Sequence, residues 1–70
     1  MKLSARNTLK GSVKKIIPGS VNAEVVIELP GGVQVTSIVT MEAVASLGLK
    51  EGKQAYAIIK ASNVMIGVDH

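Results

Sequence analysis

Hydrophobic and polar positions alternate along this chain in short stretches separated by glycine and proline. From Val21 to Leu29, Ala23, Val25, Ile27 and Leu29 fall on one side and Glu24 and Glu28 on the other, the period-two pattern of a half-buried strand. Val26 interrupts the polar side and predicts a contact on that face. From Val33 to Thr40, Val33, Val35 and Val39 share a face, with Gln34, Thr36 and Thr40 opposite. Leu9 to Ile17 carries Val13, Ile16 and Ile17 among lysines, and Ala55 to Lys60 and Val64 to Val68 add two further strand-like runs. Breaks fall at Pro18-Gly19-Ser20, at Pro30-Gly31-Gly32, at Gly48 with Lys50-Glu51-Gly52, and at Ala61-Ser62-Asn63.

One stretch has a different period. Met41, Val44 and Leu47 lie three apart among helix formers, Thr40 is placed to cap the start, Glu42 suits the positive end of the dipole, and Gly48 can close the helix in the left-handed conformation. A helix of about two turns is unstable alone, so it is expected to cover the end of the sheet. Short strands with one helix between the third and fourth major strands match the order of an OB-type barrel. The expected fold is mainly all-β: an OB-like small β-barrel of about five strands with one short helix, in one domain over residues 1–70.

Composition changes this picture in one respect. Hydrophobic residues make up 47% of the 70, with no Phe or Trp and a single tyrosine, Tyr56. β-Branched strands apolar on both faces, in so short a chain, imply that a partner covers one of them. Cysteine is absent, which excludes disulfides and thiolate metal sites, and the one histidine, His70, cannot form a histidine-rich metal site. Oligomerisation is the reinforcement that remains. Met1-Lys2-Leu3 runs straight into Ser4, Arg6 and Asn7 without a signal-peptide pattern, and no apolar run approaches spanning length, so a cytoplasmic protein without membrane association is expected.

The formal charge of +3, from eight Lys and Arg against five Asp and Glu, favours anions in general. An enzyme is not expected. The chain has no cysteine nucleophile and no internal histidine. Glu24 and Glu28 read as a solvated strand face, and Gly31-Gly32 as a hairpin signal, not a phosphate cradle. Two segments are better suited to anions. Ser4-Ala5-Arg6-Asn7 brings a hydroxyl, a guanidinium and an amide together; Lys60-Ala61-Ser62-Asn63 does so with an ammonium, a hydroxyl and an amide. Both offer donors and no carboxylate, the set a dianionic oxyanion needs.

The stretches SARNTLKG (Ser4 to Gly11), PGSVNAEVVIEL (Pro18 to Leu29), TSIVT (Thr36 to Thr40), LGLKEG (Leu47 to Gly52) and IKASNVMI (Ile59 to Ile66) resemble, in order and over nearly the whole chain, the molbindin family of molybdate- and tungstate-binding Mop domains. The resemblance implies an OB-like barrel and a homo-oligomer, a hexamer built as a trimer of dimers. It implies molybdate or tungstate as the bound ligand, with no other cofactor, held by hydrogen bonds at subunit interfaces for storage, buffering or delivery. Carried over by position, the principal site is Ser4, Ala5 and Arg6 of one subunit with Lys60, Ala61 and Ser62 of a neighbour. Ala5, Ala61 and Arg6 would act through backbone N–H groups, Ser4 and Ser62 through hydroxyls, and Lys60 through its charge; Asn7 would orient the strand entry. A second oxyanion site is placed at Gly19, Ser20 and Val21, where the alternative is a simple type II turn at Pro18-Gly19. The tail Gly67-Val68-Asp69-His70 extends beyond the usual final strand. The competing reading is an OB-type nucleic-acid-binding module, but base stacking would have only Tyr56, and only Lys14 and Lys15 are adjacent lysines.

Overall fold

The computed structural model describes residues 1–69; His70, and with it the end of the tail, lies outside the described residues. Four strands form one antiparallel sheet: β1 (Asn7–Pro18), β2 (Asn22–Glu28), β3 (Gln34–Thr40) and β4 (Gln54–Ile59), in the order β3-β2-β1-β4. The helix α1 (Met41–Ser46) lies between β3 and β4 in the chain. The sheet curls so that Ala57 of β4 reaches Val13 of β1 and Val25 and Ile27 of β2, and these residues form the buried core. The mainly β, OB-like architecture with one short helix is therefore as expected.

The long strand β1 carries the curl. Ser12 and Val13 pair with Glu28 and Ile27, but Lys15 pairs with Val26, so Lys14 is an extra residue in the ladder. This β-bulge shifts the alternation. Val13 and Ile16, three apart, consequently both face the core, which a regular strand would forbid. Bending also needs Gly11. A Cβ there would collide with the Glu28 carbonyl oxygen and stand 2.9 Å from Cγ2 of Ile27, so the β1 and β2 backbones close to a distance only glycine permits. Val26, the interruption on the polar face of β2, is 4% exposed, with Lys15 and Thr36 as its cross-strand neighbours.

The turns follow their residues. Gly32 N–H donates to the Leu29 carbonyl at 3.0 Å, with Pro30 and Gly31 between and Gly31 at φ +93°, a type II turn closing the β2–β3 hairpin. The helix is capped as expected: Thr40 Oγ1 accepts from Ala43 N–H at 3.0 Å, and Gly48 sits at φ +63°. Lys53 donates from Nζ to the Leu47 and Gly48 carbonyls, at 2.7 and 3.2 Å, satisfying the helix C-terminus. Val44 packs on the core cluster, so the helix covers the end of the sheet. Thr40→Ala removes the cap and is expected to cost about 1 kcal/mol. Urea denaturation at fixed protein concentration checks this: the midpoint should fall with an unchanged slope, and an unmoved midpoint would assign the cap bond no weight.

One expectation is corrected, and one alternative is not met. Val64 to Val68, expected as the fifth strand, is not a strand. A strand exists by virtue of its ladder, and this segment leaves the 3₁₀ turn at Ala61–Asn63 without pairing to β3 or β4, leaving Met65, Ile66 and Val68 more than four-fifths exposed. The type II turn at Pro18-Gly19 is also absent. That turn needs positive φ at its third residue, and Gly19 is not among the glycines with positive φ. Its N–H instead donates to the Asn22 carbonyl at 2.8 Å, so close that a Cβ at Gly19 would lie 2.6 Å from that oxygen. Among the described residues no helix is long and apolar enough to cross a membrane.

Candidate oxyanion site

The donor-rich segments flank the pairing of β1 with β4. Asn7 stands opposite Ile59 and Thr8 opposite Ile58, so residues 4–6, which lead into β1, lie beside residues 60–62, which leave β4. Ser4, Ala5, Arg6, Lys60, Ala61 and Ser62 of a single chain, joined by Ile58, line one open cleft of about 570 Å³. The resemblance distributes these six over two subunits; within one chain they are already neighbours. Ala5 is half-buried and the other five are exposed.

Local structure explains which groups are available. Lys60 is extended, with φ −62° and ψ 131°, and caps the 3₁₀ turn Ala61–Asn63. That turn closes through Asn63 N–H to the Lys60 carbonyl at 2.8 Å and Val64 N–H to the Ala61 carbonyl at 3.2 Å. The N–H groups of Ala61 and Ser62 precede the first closed turn, where helical N–H groups have no partner of their own. Among the described residues no backbone carbonyl accepts from them, nor from the N–H groups of Ser4, Ala5 or Arg6. The side chains of Ala5 and Ala61 are small enough to let a ligand approach these backbone groups. The one ion pair among the described residues is Lys14 with Glu28, at 3.9 Å, so neither Arg6 nor Lys60 is neutralised by a carboxylate there.

Asn7 does not line the cleft. Its Nδ2 donates to the Ile59 carbonyl at 3.3 Å, consistent with orienting the strand entry. Ile58 is the lining residue that the sequence reading missed. Its signal was positional: two residues before Lys60 on an alternating strand, it shares that residue's face.

The remaining candidates lie elsewhere. Gly19, Ser20 and Val21 form the exposed loop between β1 and β2, at the opposite end of β1 from the cleft. The loop is anchored by Met41 N–H donating to the Val21 carbonyl at 2.8 Å. A larger open cleft of about 730 Å³ includes Lys10, Gly31 and Gly32 but also Glu28, whose carboxylate disfavours a dianion. Glu24 and Glu28 do not form an acid–base pair. Four residues apart on a strand they are separated by roughly 13 Å, and Glu28 is engaged by Lys14 and by Gln34 Nε2 at 3.5 Å.

Comparison with known proteins identifies the family. The chain matches the TOBE domain over residues 3–66. It is 56% identical over 69 residues to the "Probable molybdenum-pterin-binding protein" of Haemophilus influenzae, an alignment covering 99% of this chain and 100% of that protein. Among solved structures, MopII from Clostridium pasteurianum superposes with a TM-score of 0.90 at 46% identity, covering 96% of this chain and 100% of that one. The cytoplasmic molybdate-binding protein ModG, in a crystal form with molybdate bound, superposes with a TM-score of 0.94 at 62% identity, covering 97% of this chain and 48% of that one. By its sequence, its curled four-stranded sheet and its close structural neighbours, the chain belongs to the TOBE-domain family, in its molbindin (Mop) group.

Proposed function

We propose that this chain is a binding domain, not an enzyme, that holds molybdate or tungstate entirely by hydrogen bonds in the Ser4–Arg6 and Lys60–Ser62 cleft. The observation that carries the reading is the make-up of that cleft: hydroxyls, unengaged backbone N–H groups and two cations, without a carboxylate. The molybdate-bound relative at 62% identity supports the choice of ligand. Ser4 and Ser62 donate hydroxyls, Ala5, Arg6 and Ala61 donate backbone N–H groups, and Lys60 offsets the charge. Gly19, Ser20 and Val21 belong to the same reading as a second oxyanion site.

The cleft of one chain is open, and a dianion is bound tightly only when it is enclosed by donors and removed from water. A neighbouring subunit seated over the cleft supplies that enclosure, in a homohexamer arranged as a trimer of dimers. Exposed Ile17, Ile38, Met65 and Ile66 offer the apolar surface such an assembly buries. A ligand that binds the assembled form also stabilises it by mass action. The role that suits such a protein is cytoplasmic storage, buffering or delivery of the anion.

Selectivity follows from size and protonation. Molybdate and tungstate are near-identical tetrahedra, larger than sulfate or phosphate, and fixed donors leave longer, misaligned bonds around the smaller ions. Hydrogen phosphate also carries a proton, which in a cleft without a carboxylate meets only weak side-chain acceptors, the Ser4 and Ser62 hydroxyls. Calorimetry should give strong, similar binding of molybdate and tungstate and at least tenfold weaker binding of sulfate and phosphate, a gap of about 1.4 kcal/mol. Equal affinity for all four anions would remove the size argument. Native mass spectrometry should report six copies carrying bound anions; a monomer that binds molybdate equally well would overturn the shared enclosure.

A further inference from the structure

The cleft has walls from two distant stretches of chain, and size discrimination requires those walls to keep their separation. Asn7 and Ile59 stand opposite each other in the last pairing of β1 with β4, one residue inward from Arg6 and from Lys60. Strand alternation puts Ile58 and Lys60 on the cleft side of β4, and Ile59 and Asn7, both half-buried, on the side facing the core. The Asn7 amide crosses between the strands there and donates to the Ile59 carbonyl at 3.3 Å, the only side-chain hydrogen bond among the described residues that ties the two donor segments together. It braces the cleft from behind without entering it.

We infer that Asn7 is the positioning residue that sets the anion-size selectivity of the cleft, by locking the Ser4–Arg6 segment at a fixed distance from Lys60–Ser62. The inference rests on the oxyanion reading above. A tetrahedral anion that fills a fixed cleft gains from rigidity, because its donors are already in place. A smaller anion loses from it, because the donors cannot draw in. Without the Asn7 bond the two segments are tied only by the end of the β1–β4 ladder, and their separation varies more. The larger anion then bears an ordering cost on binding, and the smaller one collects donors it could not previously reach.

The test is calorimetry of molybdate and of sulfate on the full chain and on Asn7→Ala, with thermal unfolding of each apo protein. Asn7→Val, which favours the strand but has no donor, serves as a second variant that retains local structure. Both variants are expected to bind molybdate several-fold more weakly and sulfate no more weakly than the unsubstituted chain, so that the ratio of the two affinities falls about fivefold or more, the scale of one hydrogen bond. A purely structural role would move the melting temperature and lower both affinities by a common factor. An unchanged ratio in both variants therefore overturns the inference while leaving the site itself intact. Failure of the unsubstituted chain to bind molybdate overturns the reading of the site and the inference with it.

Discussion

Replacing Lys60 by alanine is expected to weaken molybdate binding by roughly 10- to 100-fold, the largest effect of any single side chain in the cleft. Hydrogen bonds to charged groups contribute about 1.5–3 kcal/mol, and each 1.4 kcal/mol is about tenfold in affinity. Lys60 is exposed, its ammonium has no carboxylate partner among the described residues, and its own carbonyl closes the turn that presents Ala61 and Ser62. Truncation therefore removes the charge and leaves the backbone donors in place, which makes the loss specific to the side chain. Lys14→Ala is the matched control, because it also removes one positive charge but from a lysine paired with Glu28 outside the cleft. Calorimetry at one ionic strength should show near-wild-type binding for the control. Equal losses for the two variants would mean that net charge, and not this site, attracts the anion.

Gly11→Ala should give the largest loss of stability. The new methyl group would collide with the Glu28 carbonyl oxygen and meet Ile27 Cγ2 at 2.9 Å. Glu28 is in the β1–β2 ladder and Ile27 in the core, so neither neighbour can withdraw without breaking a backbone pair or opening the core. Overpacking of this kind typically costs about 1–3 kcal/mol, and the entropy that alanine removes from the unfolded chain offsets less than about 1 kcal/mol. For a domain of this size a net loss near 2 kcal/mol lowers the melting temperature by about 10 °C. Thermal unfolding should be compared with Gly67→Ala at the same subunit concentration, since Gly67 has nothing within 4 Å of an added Cβ. If the two variants melt together, the sheet absorbs the contact and Gly11 is not required for the curl.

How much of this was legible in the sequence can be argued residue by residue. Alternation located β2 and β3 nearly to their ends, and Thr40, Glu42 and Gly48 bracketed the helix, because these signals are local and each residue acts on its own neighbours. The segments around Arg6 and Lys60 were legible by donor chemistry and by resemblance. Their meeting within one chain was not, because it depends on the register that sets Asn7 opposite Ile59. The Lys14 bulge was equally hidden: nothing in Val13-Lys14-Lys15-Ile16 marks which residue the ladder skips. Val64 to Val68 shows the opposite failure. Its composition favours a strand, but propensity supplies no ladder partner.

The pairing of β1 with β4 also has a consequence for biosynthesis. The bond from Asn7 to Ile59 spans 52 residues, and the cleft draws on both sides of that closure. A chain emerging from the ribosome can form the β2–β3 hairpin as soon as both strands are out, but it has no cleft until Lys60, Ala61 and Ser62 have followed. Contacts this far apart in sequence also form late and slowly, since loop closure precedes their reward. A polypeptide that ends before Lys60 thus lacks one whole wall of the cleft, so on the proposed function its first fifty-nine residues could not hold the anion.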